Sequence, residues 1–159
     1  MLATMFAYNA ATNQRLLSLA ANLSDEQLDA PTGYSSDTLR QTFTHILQVE
    51  YNWRTTCATR TPSFGTSSFS PTPSIAELRA FATTEGQRAQ DLIDRLSESE
   101  LTTSFSAQHG DKTYLLVPWQ ILIHLLYHSA QHRSEASTQL TAYGCSPGDT
   151  DFMEFVLAQ

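Results

Sequence analysis

The sequence predicts an all-α protein: a four-helix bundle with a short hairpin or extended crossing before the last long helix. Four long segments carry apolar residues at helical spacing, one long connection separates the second from the third, and no repeated strand signals occur. The chain has 159 residues, of which 41% are apolar, enough for an ordinary core without a disulfide or metal staple. We therefore expect residues 1–159 to form a single domain.

The first predicted helix covers residues 2 to 22, which contain no proline or glycine. Its apolar positions suit an amphipathic helix; they are Leu2, Met5, Phe6, Leu16, Leu17, Ala20 and Leu23. A short extra turn follows, because Ser24 and Gln27 have the spacing of a capping box, in which each side chain bonds the other residue's backbone N–H.

The second helix is predicted to begin near Ser36 or Asp37, since either side chain can cap the free N–H groups of a first turn. It continues through LRQTFTHILQVEYNWRTTC and contains His45. Residues 59–73, TRTPSFGTSSFSPTP, are rich in Ser, Thr and Pro without periodicity and form a loop. Phe64 and Phe69 suggest that this loop lies against the protein, as a lid over a site or as a simple connector.

The third helix opens with Ser74 and Glu77, a second capping box. Residues 101–117 are predicted to form the hairpin or extended crossing around a Gly110-Asp111 turn. The fourth helix begins at Pro118, where the missing N–H has no cost, and runs to about Tyr143 before Gly144 ends it.

Composition excludes several classes of partner. The formal charge of −7 repels nucleic acid and anionic lipid. No stretch reaches the length of a membrane span, and the first residues lack the pattern of a signal peptide. The two cysteines, Cys57 and Cys145, are too few for a disulfide framework and lack the close spacing of cysteines that bind a metal together. We therefore expect a cytoplasmic protein that binds neither nucleic acid nor membrane.

Three histidines in the predicted fourth helix lie four residues apart, at His124, His128 and His132. Residues at this spacing are turned by roughly 40° and raised by roughly 6 Å, so each adjacent pair can direct its imidazoles at one point. His124 and His132 are separated by roughly 12 Å along the axis, too far to share one ion. Spacing alone therefore offers two candidate metal-binding pairs, His124 with His128 and His128 with His132. The alternative to a metal site is a helical stripe of surface or hydrogen-bonded core histidines.

A pair of histidines needs a third ligand from elsewhere, because catalytic zinc commonly takes three protein ligands and one water. His45 is the natural candidate, since facing helices of a bundle assemble metal sites in their interior. His109 lies beside the predicted turn and is expected to be solvated. Imidazole ligands suit several divalent transition metals, with zinc or nickel favoured and iron or manganese as alternatives.

Four stretches of the chain resemble the DinB/YfiT-like family, small helical-bundle proteins of bacteria that bind a metal through three histidines. They are YNAATNQRLLSLAANLSDEQL in the first helix, TLRQTFTHILQVEYNW in the second, PWQILIHLLYHSAQHR in the fourth, and the tail GCSPGDTDFMEF. The resemblance covers nearly the whole chain, although a tryptophan often found in the family's first helix is absent.

The resemblance implies that the metal ligands are His45, His128 and His132, and that His124 is a neighbour one turn back. Many members carry Arg-Gly-Gln after the last ligand, where this chain has Arg133-Ser134-Glu135. Relatives are assigned as metal-dependent hydrolases or as S-transferases that use low-molecular-weight thiols such as bacillithiol or mycothiol. The resemblance therefore implies an enzyme with a small-molecule substrate, and a thiol as one possible partner.

A trihistidine site leaves the charge of a divalent ion uncompensated, so a bound water or thiol becomes a nucleophile near neutral pH. Glu50 and Glu135 are candidate proton acceptors or partners of the imidazole N–H groups. Arg133 is a candidate for attracting an anionic substrate, with a salt-bridged or solvated arginine as the alternative. Trp53 and Tyr8 are candidates for lining a pocket, with core packing as the alternative. His124, the neighbour of the implied ligands, is a further candidate binding residue.

A second hypothesis is a non-enzymatic metal-binding or stress-associated interaction protein with a structural or vestigial site. A structural zinc has four protein ligands, so a fourth ligand from Glu50, Cys57 or His124 would favour it. A third hypothesis is a bundle without metal that works through oligomerisation. In each case we expect a homodimer, because helical bundles with apolar surface left over commonly pair.

Overall fold

The structure is a computed structural model that describes residues 1–34, 36–64 and 69–158. Its elements follow in the order α1 (Leu2–Ala20), α2 (Asp25–Leu28), α3 (Leu39–Thr59), α4 (Ile75–Arg95), α5 (Glu98–Thr102), β1 (Phe105–His109), β2 (Lys112–Leu116), α6 (Pro118–Ala142) and α7 (Phe152–Leu157). Helices α1 and α3 each pack against both α4 and α6. The predicted four-helix bundle is confirmed, and β1 and β2 form the hairpin before its last long helix.

Local sequence signals account for most helix ends. Both predicted capping boxes are present, with Ser24 and Gln27 at the start of α2 and Ser74 and Glu77 at the start of α4. Pro118 is the first residue of α6, and Gly144 adopts φ +77° just beyond its end, a conformation that favours glycine. The hairpin turns at Gly110, also with positive φ.

The predicted cap of the second helix is wrong by one or two residues. Thr38, not Ser36 or Asp37, precedes α3, and its hydroxyl accepts the backbone N–H of Gln41. Thr38 has the extended backbone of a helix N-cap and forms an isolated β-bridge with Pro31. Asp37 lies in the turn before it at φ +59°, which a cap residue does not adopt.

Two short helices are absent from the sequence prediction. Ser97 is the N-cap of helix α5, and its side chain forms a third capping box with Glu100. Asp151 is the N-cap of helix α7, and its carboxylate accepts hydrogen bonds from the N–H groups of Met153 and Glu154; α7 packs on α1. Each is only about one or two turns long, too short for hydrophobic periodicity to reveal it.

The described part of the connection 59–73 lies against the protein, as its phenylalanines predict. The ring centroid of Phe64 is 4.9 Å from that of Trp53, and the centroid of Phe69 is 4.5 Å from that of Phe81. Residues 65–68 of this predicted loop lie outside the described residues.

The core consists of two apolar clusters separated along the bundle axis by a polar layer. One cluster includes Leu16, Leu39, Ile46, Leu78 and Leu140; the other includes Phe6, Cys57, Leu92, Leu122 and Leu125. Buried polar residues occupy the intervening turns of the four helices: Asn9 and Asn13 in α1, Glu50 in α3, Glu85 in α4, and Ser129 and Arg133 in α6. None of the helices in the described part of the chain has the length and hydropathy needed to span a bilayer.

Candidate metal centre

Three imidazoles converge between α3 and α6, beside the polar layer. His45 comes from α3, and His128 and His132 come from successive turns of α6. One nitrogen from each ring lies within 4.8 Å of the nitrogens of the other two. The ring centroids are 4.5 to 4.8 Å apart, so the three side chains form one cluster rather than a stripe along the helix.

The spacing of the nitrogens fits a cation. Nε2 of His45 and Nε2 of His128 are 3.0 Å apart. Zinc–nitrogen bonds of about 2.0–2.1 Å in tetrahedral geometry place two donors roughly 3.4 Å from each other. The nitrogens of His45 and His128 therefore need only a small adjustment to hold one ion in common, and the ligand nitrogen of His132 lies within 4.8 Å of both.

The charge state of the imidazoles also fits metal binding. Burial lowers the pKa of His128 to about 4, with further contributions from the neighbouring His132, His45 and His124 rings. Burial also lowers the pKa of His45, and His132 adds to this effect while Glu135 opposes it. Both rings are therefore neutral near pH 7, and a neutral imidazole offers the lone pair that a metal needs.

Glu135 orients His132. Its Oε2 lies 2.7 Å from Nδ1 of His132, one helical turn earlier in α6. A carboxylate in this position accepts a hydrogen bond from Nδ1–H, so the lone pair on Nε2 remains free to bind an ion. His128 differs, because its Nδ1 is buried and has no hydrogen-bond partner among the described residues.

Glu50 lies in the polar layer of the bundle interior and is not a member of the histidine cluster. Its Oε1 accepts hydrogen bonds from Asn9 at 2.8 Å, Asn13 at 3.0 Å and the Ser129 hydroxyl at 2.7 Å. These donors come from α1 and α6, so one carboxylate on α3 joins three helices. Ser129 directly follows His128 in the sequence, and the layer therefore supports the turn of α6 that carries this histidine.

Arg133 is buried in the same layer rather than salt-bridged at the surface or solvated. Its guanidinium donates to the side-chain oxygens of Asn9 and Asn13 and lies 5.8 Å from the centre of the Tyr8 ring. Burial lowers its pKa, while Glu50 and Tyr8 oppose that effect. The two asparagines thus bridge Arg133 and Glu50, which compensates two buried charges through shared hydrogen bonds.

A row of aromatic rings extends from the histidine cluster. The centroid of His124 is 5.9 Å from that of His128 and 5.3 Å from that of Trp53. Phe64 continues the row to His109, whose ring centroid lies 5.3 Å away. Trp53 is half-buried and lines two cavities, whereas His124 and His109 are largely exposed.

Sequence reasoning missed the partners of Glu50 and the hairpin residues near Trp53. The signal for the first was available, because Asn9, Asn13 and Ser129 are polar residues on the inward faces of two predicted helices. The hairpin residues Ala107, Tyr114 and Leu116 gave no such signal, because their approach to Trp53 depends on how β1 and β2 fold against α3.

The fold and the cluster together define a four-helix-bundle protein with a trihistidine group that could hold a divalent metal ion. The chain belongs to the DinB family, whose model matches residues 1–159. The crystal structure of a DinB-like protein from Bacillus subtilis shares the fold, with a TM-score of 0.70 and 13% identity over 90% of this chain and 92% of that one. Among curated proteins, none matches the chain.

Proposed function

We propose that this protein is a metal-dependent enzyme that holds a divalent transition metal, zinc or nickel in the first instance, through His45, His128 and His132. The observation that carries the proposal is the convergence of three imidazole nitrogens within 4.8 Å of one another from two separate helices. Among the described residues, this group contains three donors and no fourth. A closed structural zinc site takes four, so the donor set supports an open, catalytic site.

The chain's own residues have separable roles in this proposal. The three imidazoles bind the ion. Oε2 of Glu135 accepts a hydrogen bond from Nδ1–H of His132, which keeps Nε2 of that ring available as a ligand. Glu50 and Arg133 act at a distance, because their hydrogen bonds position α1 and α6 rather than contact a substrate. When bound, a divalent cation supplies the acidity that makes a water molecule or a thiol nucleophilic near neutral pH.

Two reactions fit such a site. Activation of water leads to hydrolysis, and activation of an exogenous low-molecular-weight thiol leads to its transfer onto an electrophile. The family resemblance supports both, with bacillithiol or mycothiol as examples of the thiol. The exposed position of His45 supports access of a small molecule to the cluster from solvent.

A cobalt-substituted protein tests the open site directly. Its visible spectrum is recorded while small thiols are added, with Glu135→Gln as a variant that retains the three histidines and His132→Ala as a variant that lacks one. We expect a thiolate-to-cobalt absorption band in the wild type and in Glu135→Gln, and none in His132→Ala. A wild-type spectrum that no thiol changes, together with failure to hydrolyse a panel of esters and amides, would favour the non-enzymatic metal-binding reading.

A further inference from the structure

Two cavities flank Trp53 on the side of the bundle covered by the hairpin. The first has a volume of about 240 Å³, is open to solvent on one side and is lined mainly by Phe64, Ala107, His109 and Tyr114. The second has a volume of about 230 Å³, is also open on one side and is lined mainly by Val117, Gln120, Ile121 and His124. Trp53 and Leu116 line both, and the two adjacent cavities are together called the Trp53 cleft here.

The Trp53 cleft adjoins the histidine cluster. His124 lines its second cavity, and the same ring lies 5.9 Å from His128, centroid to centroid. Trp53 lies on α3 two turns after His45, and its ring is 5.3 Å from His124. The His124 ring therefore contacts both the Trp53 side of the cleft and His128 of the cluster.

The lining of the Trp53 cleft carries no formal charge. Among the described residues that enclose it there is no Asp, Glu, Lys or Arg. Of the nearby cations, Arg54 pairs with Glu85, and Arg60 lies 5.0 Å from the centre of the Phe105 ring and donates to the carbonyl of Glu100. Lys112 stands opposite His109 in the hairpin and lines neither cavity. An ionised group in this cleft would lose part of its hydration without a charged side chain in the lining to compensate it.

The size and shape of the cleft suit a single flat ring. A closed apolar cavity of roughly 150 Å³ accepts benzene, and each half of the cleft, although open to solvent on one side, has more volume than that. The Trp53 ring meets the rings of Phe64 and His124 at steep angles, with an interplanar angle of 76° in each pair. Such walls present ring faces and edges to a guest, the arrangements that aromatic groups prefer.

We propose that the Trp53 cleft binds an uncharged, single-ring or similarly sized apolar group of the substrate and places the rest of that molecule at the trihistidine centre. This inference rests on the proposed function for the identity of the reacting site, but the binding step itself depends only on the cleft. In the transferase version the cleft holds the electrophile, since no charged side chain lines the cleft to pair with an ionised thiol. In the hydrolase version it holds the apolar part of the cleaved molecule.

The test uses Trp53 as its own reporter. The chain has two tryptophans, and Trp119 is 46% exposed and lines neither cavity, so Trp119→Phe leaves a protein whose tryptophan fluorescence comes from the cleft. The probes are 4-nitrobenzyl alcohol and 4-nitrobenzoate, two quenchers with the same ring that differ in charge. Each is titrated into metal-free and zinc-loaded protein, with metal content measured on the same samples.

We expect saturable quenching by the neutral probe in both metal states and at least about tenfold weaker binding of the anion, because the cleft offers its carboxylate no partner. Leu116→Asp should weaken binding of the neutral probe by about tenfold or more, and Phe64→Ser by several-fold, because each alters a wall of the cleft. Leu115→Asp is the matched control, because Leu115 is 71% exposed on the same strand and lines neither cavity. Circular dichroism verifies that every variant is folded.

Non-saturable quenching, equal affinity for the anion, or equal effects of Leu115→Asp and Leu116→Asp would overturn the proposal. If Leu116→Asp does not fold, Phe64→Ser decides the outcome, and unchanged affinity in that variant counts against the cleft. Saturable binding of the probe in a protein that takes up neither zinc nor nickel would support the cleft and refute the metal-dependent function. Metal binding without saturable quenching would refute the cleft and leave the metal-dependent function intact.

Discussion

Oε2 of Glu135 and Nδ1 of His132 lie 2.7 Å apart, one turn of α6 from each other. This contact gives His132 a defined tautomer, with the proton on Nδ1 and the lone pair on Nε2. It also places a negative charge near the cluster, where it opposes the lowering of the pKa of His45. Many proteins of the family that the sequence resembles carry a glutamine at this position, so an acid replaces an amide as the partner of this histidine.

Glu135→Ala should weaken zinc binding by about 10- to 100-fold, the usual cost of losing the partner of a metal-bound histidine. Glu135→Gln should have a smaller effect, because its amide oxygen can still accept a hydrogen bond from Nδ1–H of His132. Competition with a chromophoric chelator measures both affinities. Ser134→Ala is the control, since Ser134 is the exposed neighbour in the same turn. Equal affinities in Glu135→Ala and wild type would show that the contact does not support the centre.

The metal-free protein should lose stability as the pH falls from about 6.5 to about 4. His128 titrates near 6.5 when unfolded and at about 4 when folded, because burial and the neighbouring imidazoles disfavour its charged form. In this window the unfolded state binds more protons than the folded state, so the free energy of unfolding increases with pH and decreases on acidification. Urea unfolding of chelator-treated protein at several pH values measures the slope.

His128→Asn serves as the matched variant for that experiment, because it removes the titrating ring and keeps a polar side chain. Its free energy of unfolding should change less between pH 6.5 and pH 4 than that of the wild type. The same slope in both proteins would mean that other groups cause the acid sensitivity.

Glu50→Ala should destabilise the protein by about 3–5 kcal/mol, because it leaves Arg133 as an uncompensated buried charge and removes the acceptor of three buried donors. Glu50→Gln should cost less, since it retains an oxygen acceptor of the same size. Denaturant unfolding measures the change as a shift of the midpoint. Asp94→Ala, an exposed acid on α4, should remain within about 0.5 kcal/mol of wild type. A small effect of Glu50→Ala would show that the polar layer is dispensable.

The sequence was sufficient to predict the four long helices, because their apolar spacing, capping boxes, Pro118 and Gly144 all act within a few residues. The prediction placed the N-cap of α3 one or two residues too early, because the extended backbone at Thr38 is fixed by pairing with Pro31, seven residues earlier. The short helices α5 and α7 were missed because they owe their presence to local caps and, for α7, to packing on α1.

The histidine cluster was predictable only in part from spacing. The separation of four residues allows His128 to pair with either His124 or His132. Bundle packing made His45 the candidate for the third ligand, and only the family resemblance selected His132. The structure places those three rings together, with His124 beside them in the aromatic row. The surroundings of Glu50 and the Trp53 cleft depend on side chains from three or more elements, which no single stretch of sequence brings together.

Metal content by elemental analysis tests the central claim most directly. Tag-free wild type is compared with His45→Ala, His132→Ala and His109→Ala, the last being an exposed histidine outside the cluster. The account predicts about one divalent ion per chain in wild type and His109→Ala, and loss of the ion in the other two variants. A wild-type protein that remains metal-free after incubation with zinc and nickel, or one that keeps its ion without His45, would contradict it.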